Sequence, residues 1–350
     1  MSEPQSNGNV VAVDVGGANL KFADDGGRRW SERFELWCRL PELRDRLRHH
    51  LRGYAVVLVT MTGELADCFA TRRQGVGQIA DAVTDAVKEQ RDAPEIWFYG
   101  LDGQFASIDR LKENPIRFAA SNWHATATAA ARVVNRPTIL VDIGSTTTDI
   151  LEVTPQKEFW PDQTDDYRLS RGTLVYIGDR RTPVCSLVDS VVLGGTRYPV
   201  MRELFATIGD ARRLLKLAPE DTDDTETANG AGGSIRHCAT RMLRMIGCDL
   251  DDHTPVVAAE MARQVHLAAR RKISDAVMAR IHGTFASLLP IDRVLIGSAA
   301  DLIEPDCGEF QPPPPGMSDD PTTALLTLWR ADPQRADPQR AASSQPTERT

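Results

Sequence analysis

The chain has 350 residues, of which 41% are hydrophobic and 26% charged, with a formal net charge of −8. That length supplies two lobes with substantial cores, and the acidic balance leaves no basic stripe to neutralise a phosphate backbone, so no nucleic-acid partner is expected. No apolar run approaches the roughly 20 residues of a membrane helix, and the polar opening MSEPQSNGN lacks the features of a signal peptide, so no membrane partner is expected either.

In chain order, residues 10–15 form a short continuous β-branched run, the pattern of a strand buried on both faces. Residues 54–60, 95–99, 138–143 and 293–296 read the same way. Helical patterns lie between them: residues 78–90 place Ile79, Ala82, Val83, Ala86 and Val87 on one face, and residues 122–134 are alanine-rich. The alternation is that of an α/β protein. Residues 204–217, 234–246 and 255–281 then read as helices of a subdomain inserted before the last strand. The apolar stripe of the third drifts around its axis, as expected of a helix that wraps a curved surface. Residues 219–233, acidic and then glycine-rich, read as a loop that becomes ordered only by closing over something. After PPPPG and a short segment ending near Trp329, a polar repetitive tail from about 331 is expected to be disordered.

The arginine-rich stretches within residues 39–52 and 263–280 have helical spacing and read as solvated helix faces. The six cysteines, at 38, 68, 185, 238, 248 and 307, form no C-x-x-C pair. That argues against a zinc or dithiol motif and suits a reducing compartment, so a cytoplasmic location is expected.

Two segments align without gaps, VVAVDVGGANLKFA at 10–23 and TILVDIGSTTTDIL at 138–151, with Asp14 on Asp142 and Gly16 on Gly144. Each is a strand ending in Asp-x-Gly, a turn of small residues and a second strand. Such a turn can face its N–H groups outward and lets a phosphate approach closely. Gly16, Gly17, Gly144, Ser145, Thr146 and Thr147 are the expected diphosphate-binding residues, Lys21 adds a cation, and Asp14 and Asp142 can hold magnesium against phosphate oxygens. The two aspartates are expected to face one cleft. Neither a Walker-type loop nor a dinucleotide fingerprint is present.

This duplication resembles the actin, sugar-kinase and heat-shock-chaperone ATPase superfamily. The resemblance implies two ribonuclease-H-like lobes, the first at 8–135 and the second at 136–203 and 285–330, with the helical insertion at 204–284 and the tail at 331–350. The segment RVLIGSAADLI at 293–303 stands where sugar kinases carry a glycine-rich adenosine motif, with Ser298 and Ala299 in place of a further glycine. Use of ATP is therefore left open.

The strings VTMTGELADCF (59–69), RRQGV (72–76), ASNWHATA (120–127), DIGSTTTDI (142–150), RGTLVYIGDRRTPV (171–184) and ELFATIGD (203–210) are more specific. Together they resemble the hydantoinase/oxoprolinase-like family linked to tetrahydromethanopterin-dependent one-carbon transfer, whose archaeal members are methanofuran-biosynthesis synthases. The resemblance implies a diphosphate-releasing transferase that joins an aminomethylfuran-methyl diphosphate to the phenol of a γ-glutamyltyramine-type acceptor. The implied partners are these small molecules, and a homo-oligomer is compatible with the sequence.

Asp14, Asp142 and Lys21 are the candidate catalytic residues, either aspartate being able to serve as the base. Thr60, Thr62, Gly63 and Glu64 follow a buried strand and are expected to face the cleft. Asn122 and Trp123 are further cleft candidates, the former also a candidate helix cap. Arg180 and Arg181 are cations for the phosphate or the glutamyl carboxylate, or surface residues. His124 and His237 lack metal-ligand companions and read as structural. The alternative readings are an ATP-dependent kinase or oxoprolinase-type hydrolase, or an actin-like assembly ATPase.

Overall fold

A computed structural model describes residues 9–156, 164–251, 255–283, 290–297 and 299–332. The chain divides into two compact units, one of Met1–Asn135, Val153–Asp165 and Pro314–Thr350, the other of Arg136–Glu152 and Asp166–Pro313. Ser298 and the tail from 333 lie outside the described residues.

The first unit is built on strands β1 (Val10–Val15), β2 (Asn19–Asp24), β3 (Arg29–Arg33), β4 (Val56–Met61), β5 (Glu95–Tyr99) and β6 (Phe105–Ala106). Their order is β3-β2-β1-β4-β5-β6. The first three form an antiparallel meander, and β4 and β5 continue parallel to β1. The second unit carries β7 (Thr138–Ile143), β8 (Thr148–Val153), β9 (Leu174–Val175), the separate hairpin β10 (Ser190–Leu193) and β11 (Thr196–Pro199), and β12 (Asp292–Ile296). Its main sheet runs β12-β7-β8-β9, with β12 parallel to β7. Read from β9, this repeats β3-β2-β1-β4. The internal duplication seen in the hairpins thus extends to the order of four strands in each unit.

Side-chain alternation divides the work of the two faces of the first sheet. Val11, Val13, Val15, Val57 and Val59 join one buried cluster with the helices Leu43–His50 and Arg72–Val87. Ala12, Ala23 and Leu58 face the other way, against Ala125 and Ala129 of the helix Asn122–Ala131 and Ala324, Leu325 and Leu328 of the helix Pro321–Arg330. Small residues there let both helices lie close to the sheet. Sequence order groups that C-terminal helix with the second lobe, yet its apolar stripe is buried on the first sheet.

Between β9 and β12 the main helices are Ile208–Leu214, Ile235–Arg244 and Pro255–His282. The first of these starts four residues later than its apolar pattern, because the Asp210 carboxylate accepts the Thr207 N–H and fixes the N-terminus there. In the long helix, Met261, Val265, Ile273, Val277 and Ile281 are buried, so the drifting stripe is the core-facing one. The expected loop at 219–233 is tied down by three arginines that lie outside it: Asp224 accepts from Arg180 at 2.6 Å and Arg213 at 2.7 Å, and Arg241 donates to Asn229, Ala231 and Gly232. No helix of the described residues is long and apolar enough to cross a membrane.

Candidate active site

The two hairpins close in the same way. Gly16 N–H donates to Asn19 O at 3.0 Å, and Gly144 N–H donates to Thr147 O at 2.9 Å. A Cβ on Gly16 would stand 2.8 Å from Asn19 O, whereas Gly17 faces open space. Gly16 is therefore required by the turn itself, and Gly17 leaves room for something outside the fold.

Asp14 lies opposite Lys21 on β2 and Thr60 on β4. The Asp14 carboxyl is buried, and its Oδ1 has no hydrogen-bond partner among the described residues. Burial pushes its pKa up to about 6, with Lys21 opposing and Asp320 adding to the rise. Lys21 itself stands 3.8 Å from Asp320, the cap of the helix Pro321–Arg330.

The Thr60 hydroxyl is hydrogen-bonded to Ser121 Oγ at 2.8 Å, and Ser121 donates to Tyr99 O at 2.9 Å. Because Ser121 is engaged in this way, the helix Asn122–Ala131 begins without a side-chain cap, and Asn122 is its first residue rather than the cap. Trp123 is buried with its ring edge-on to His124, while His124 Nδ1 meets the Tyr99 hydroxyl at 3.0 Å. His237 Nδ1 meets Gly232 O at 3.2 Å on the exposed flank of its helix. Both histidines thus have local structural contacts.

The loop after β4 closes against the first hairpin. Thr62 and Gly63 both donate their N–H groups to Val15 O at 3.0 Å, and a Cβ on Gly63 would lie 3.1 Å from the Gly16 carbonyl carbon. The next residue, Glu64, is 1% exposed. Its Oε1 is 3.3 Å from Arg72 Nη2, which is shared with Asp165 at 3.5 Å, while Oε2 is enclosed without a hydrogen-bond partner among the described residues. Burial outweighs the arginine and pushes the Glu64 carboxyl up to about 7.

In the second unit, Asp142 is half-buried and pairs in register with Ile296 on β12. Ser145, Thr146 and Thr147 are half-buried, and Gly144 is exposed. Behind this turn runs a strap, residues 178–181. Asp179 donates its N–H to Gly144 O at 3.0 Å, and Arg180 and Arg181 donate theirs to Ser145 O at 3.3 and 2.9 Å. The Arg180 guanidinium pairs with Asp224 and Glu226 of the acidic loop. Gly178, Asp179 and the Arg212 that grips Asp179 are not among the residues expected from sequence, although they include part of the string IGDRR. A glycine before an aspartate has many ordinary uses, and only the backbone contact shows why this one must be glycine.

Among the described residues, no group of three or more His, Cys, Asp or Glu side chains is placed to hold a metal. Each hairpin instead offers one aspartate. A single hairpin carboxylate is the kind of donor that suits magnesium, which keeps waters and takes one or two carboxylates together with substrate phosphate oxygens. The enclosed Asp14 oxygen is consistent with it.

The hydantoinase/oxoprolinase family model matches residues 55–305. A (4-{4-[2-(gamma-L-glutamylamino)ethyl]phenoxymethyl}furan-2-yl)methanamine synthase of Methanocaldococcus jannaschii is 34% identical over 243 residues, which are 69% of this chain and 72% of that protein. A synthase of the same name from Methanococcus vannielii is 32% identical over 118 residues, 34% of this chain and 53% of the relative. Among solved structures, nucleotide-free acetone carboxylase aligns with 90% of this chain and 52% of its own, at 12% identity and a TM-score of 0.49. On the match to the family model and the extent of the archaeal likeness, the chain belongs to the hydantoinase/oxoprolinase family.

Proposed function

We propose that this chain is a cytoplasmic transferase that joins an aminomethylfuran-methyl diphosphate to the phenol oxygen of a γ-glutamyltyramine-type acceptor, releasing diphosphate. The observation that carries this reading is the pair of identically closed hairpins, each preceded by an aspartate, in a chain that resembles the Methanocaldococcus jannaschii synthase over 69% of its length. A fold with two phosphate turns can grip the diphosphate of an activated alcohol as well as that of a nucleotide.

In this reading, the N–H and hydroxyl donors of residues 16–17 and 144–147 take the diphosphate oxygens. Magnesium, when bound, would neutralise the charge of the departing diphosphate, and Asp14 and Asp142 are the residues that would hold it. The C–O bond to diphosphate breaks with its electron pair on the leaving oxygen, and positive charge at the furfuryl carbon is shared by the electron-rich ring. The phenol oxygen forms the new C–O bond, and its proton passes to a carboxylate. With Asp14 assigned to the metal, Glu64 is the carboxyl left for the proton: it adjoins the first hairpin, has one oxygen without a hydrogen-bond partner among the described residues, and has a pKa near 7.

The purified protein should form the aryl ether from the furan diphosphate and the tyramine derivative with magnesium and without ATP. Inorganic diphosphate should raise its melting temperature at least as much as ATP does. A strict ATP requirement, or tight adenosine binding with no response to diphosphate, would replace this reading with the kinase or hydrolase alternative.

A further inference from the structure

The strap behind the second hairpin is itself held by a chain of charges. Arg212, on the helix Ile208–Leu214, donates through Nη1 to the Asp179 carboxylate at 3.1 Å and to Asp179 O at 3.4 Å. Its other edge makes a two-point contact with Asp301, Nε at 3.1 Å and Nη2 at 2.8 Å. Asp301, just past β12, also meets His266 Nε2 of the long helix at 2.9 Å. Arg212 is 4% exposed, so this fork is formed out of water, where its geometry is tightly defined. The helix bearing Arg212 touches the strap a second time, with Gly209 N–H donating to Arg180 O at 3.1 Å.

On the strap's other side, Gly178 lies against the hairpin so closely that a Cβ would fall 2.4 Å from Ser145 C and Thr146 N. The strap is therefore pressed between the arginine and the turn. A shift of Asp179 would carry with it the three N–H groups that hold Gly144 O and Ser145 O.

We propose that Arg212 is a positioning residue for the diphosphate. By fixing Asp179 it holds residues 178–181 against the hairpin and so sets the donors of Ser145, Thr146 and Thr147. The inference rests on the assignment of this hairpin to diphosphate made above. Arg212 does not touch the ligand; it acts through the strap.

The test uses full-length Arg212→Lys and Asp179→Asn, with Asp189→Asn as a control that opens only the exposed Arg202 pair. Lysine keeps the charge but not the fork, and asparagine keeps the size of a half-buried side chain, so at least the latter is expected to fold. Calorimetric titration with magnesium and inorganic diphosphate should show about tenfold to a hundredfold weaker binding in both variants and none in the control, the scale on which small misplacements act. In steady-state assays the KM for the furan diphosphate should rise by a similar factor while the KM for the phenol stays put. Equal loss for both substrates, or unchanged diphosphate binding in a folded Asp179→Asn variant, would overturn the positioning role. A wild-type protein that does not bind diphosphate would instead overturn the hairpin assignment itself.

Discussion

Gly178 and Ser145 are separated by 33 positions in sequence, yet a single Cβ on Gly178 would come within 2.4 Å of the Ser145 carbonyl carbon. The displaced neighbour would be backbone, which cannot swing aside as a side-chain tip can. Gly178→Ala should therefore cost several kcal/mol or misfold the second hairpin, beyond the roughly 1–3 kcal/mol of ordinary overpacking. Gly17→Ala makes the opposite case, since nothing lies within 4 Å of its Cβ. Its melting temperature should be close to wild type while diphosphate affinity falls. Melting curves and titrations of the two variants check this, and equal stability of both would contradict it.

Asp14→Asn and Asp142→Asn should each lower turnover about a hundredfold with the fold intact, because each keeps the side-chain volume and loses the charge that would hold magnesium. That factor is about 3 kcal/mol of transition-state stabilisation. Near-normal turnover in either single variant would remove that aspartate from the reaction.

Burial of Asp14 and Glu64 ties stability to pH. Both carboxyls are raised in the folded chain, to about 6 and about 7, so the folded state binds protons more tightly than the unfolded one. Their favourable contribution is complete below their ordinary values near 4 and is lost as pH rises through 6 to 7. Glu64→Gln should then stabilise the protein at pH 8 by an amount on the order of 2–3 kcal/mol and add nothing at pH 4. Arg72 retains Asp165 in that variant. Melting temperatures of the two proteins at both pH values test this, with an unchanged difference across pH as the contrary result.

The acidic loop depends on one carboxylate. Asp224 is buried and accepts from both Arg180 and Arg213. Asp224→Ala leaves these guanidinium groups without that anion, a change that costs about 3–5 kcal/mol for a buried pair. Cleavage within residues 219–233 should become the first event in limited proteolysis. Wild-type resistance in this variant would mean that the backbone pairing of Asp221 with Gly233 suffices to order the loop.

The sequence by itself determined the strands Val10–Val15 and Thr138–Ile143, the duplicated turns after them and the long helix near 255–281. These are local matters: a β-branched run, an Asp-x-Gly turn closed by a bond three residues on, and an apolar stripe on one helix face each arise from neighbours in the chain. Composition also located the acidic loop, but the arginines that order it lie outside it, at 180, 213 and 241. Only the tertiary structure placed the helix Pro321–Arg330 on the first sheet, enclosed Glu64 beside Gly75 and Arg72, and set Arg212 between Asp179 and Asp301. Burial and charge pairing depend on which groups meet after the chain has folded back. Glutamate and arginine look alike in sequence whether they end in water or in a core, and desolvation makes the difference.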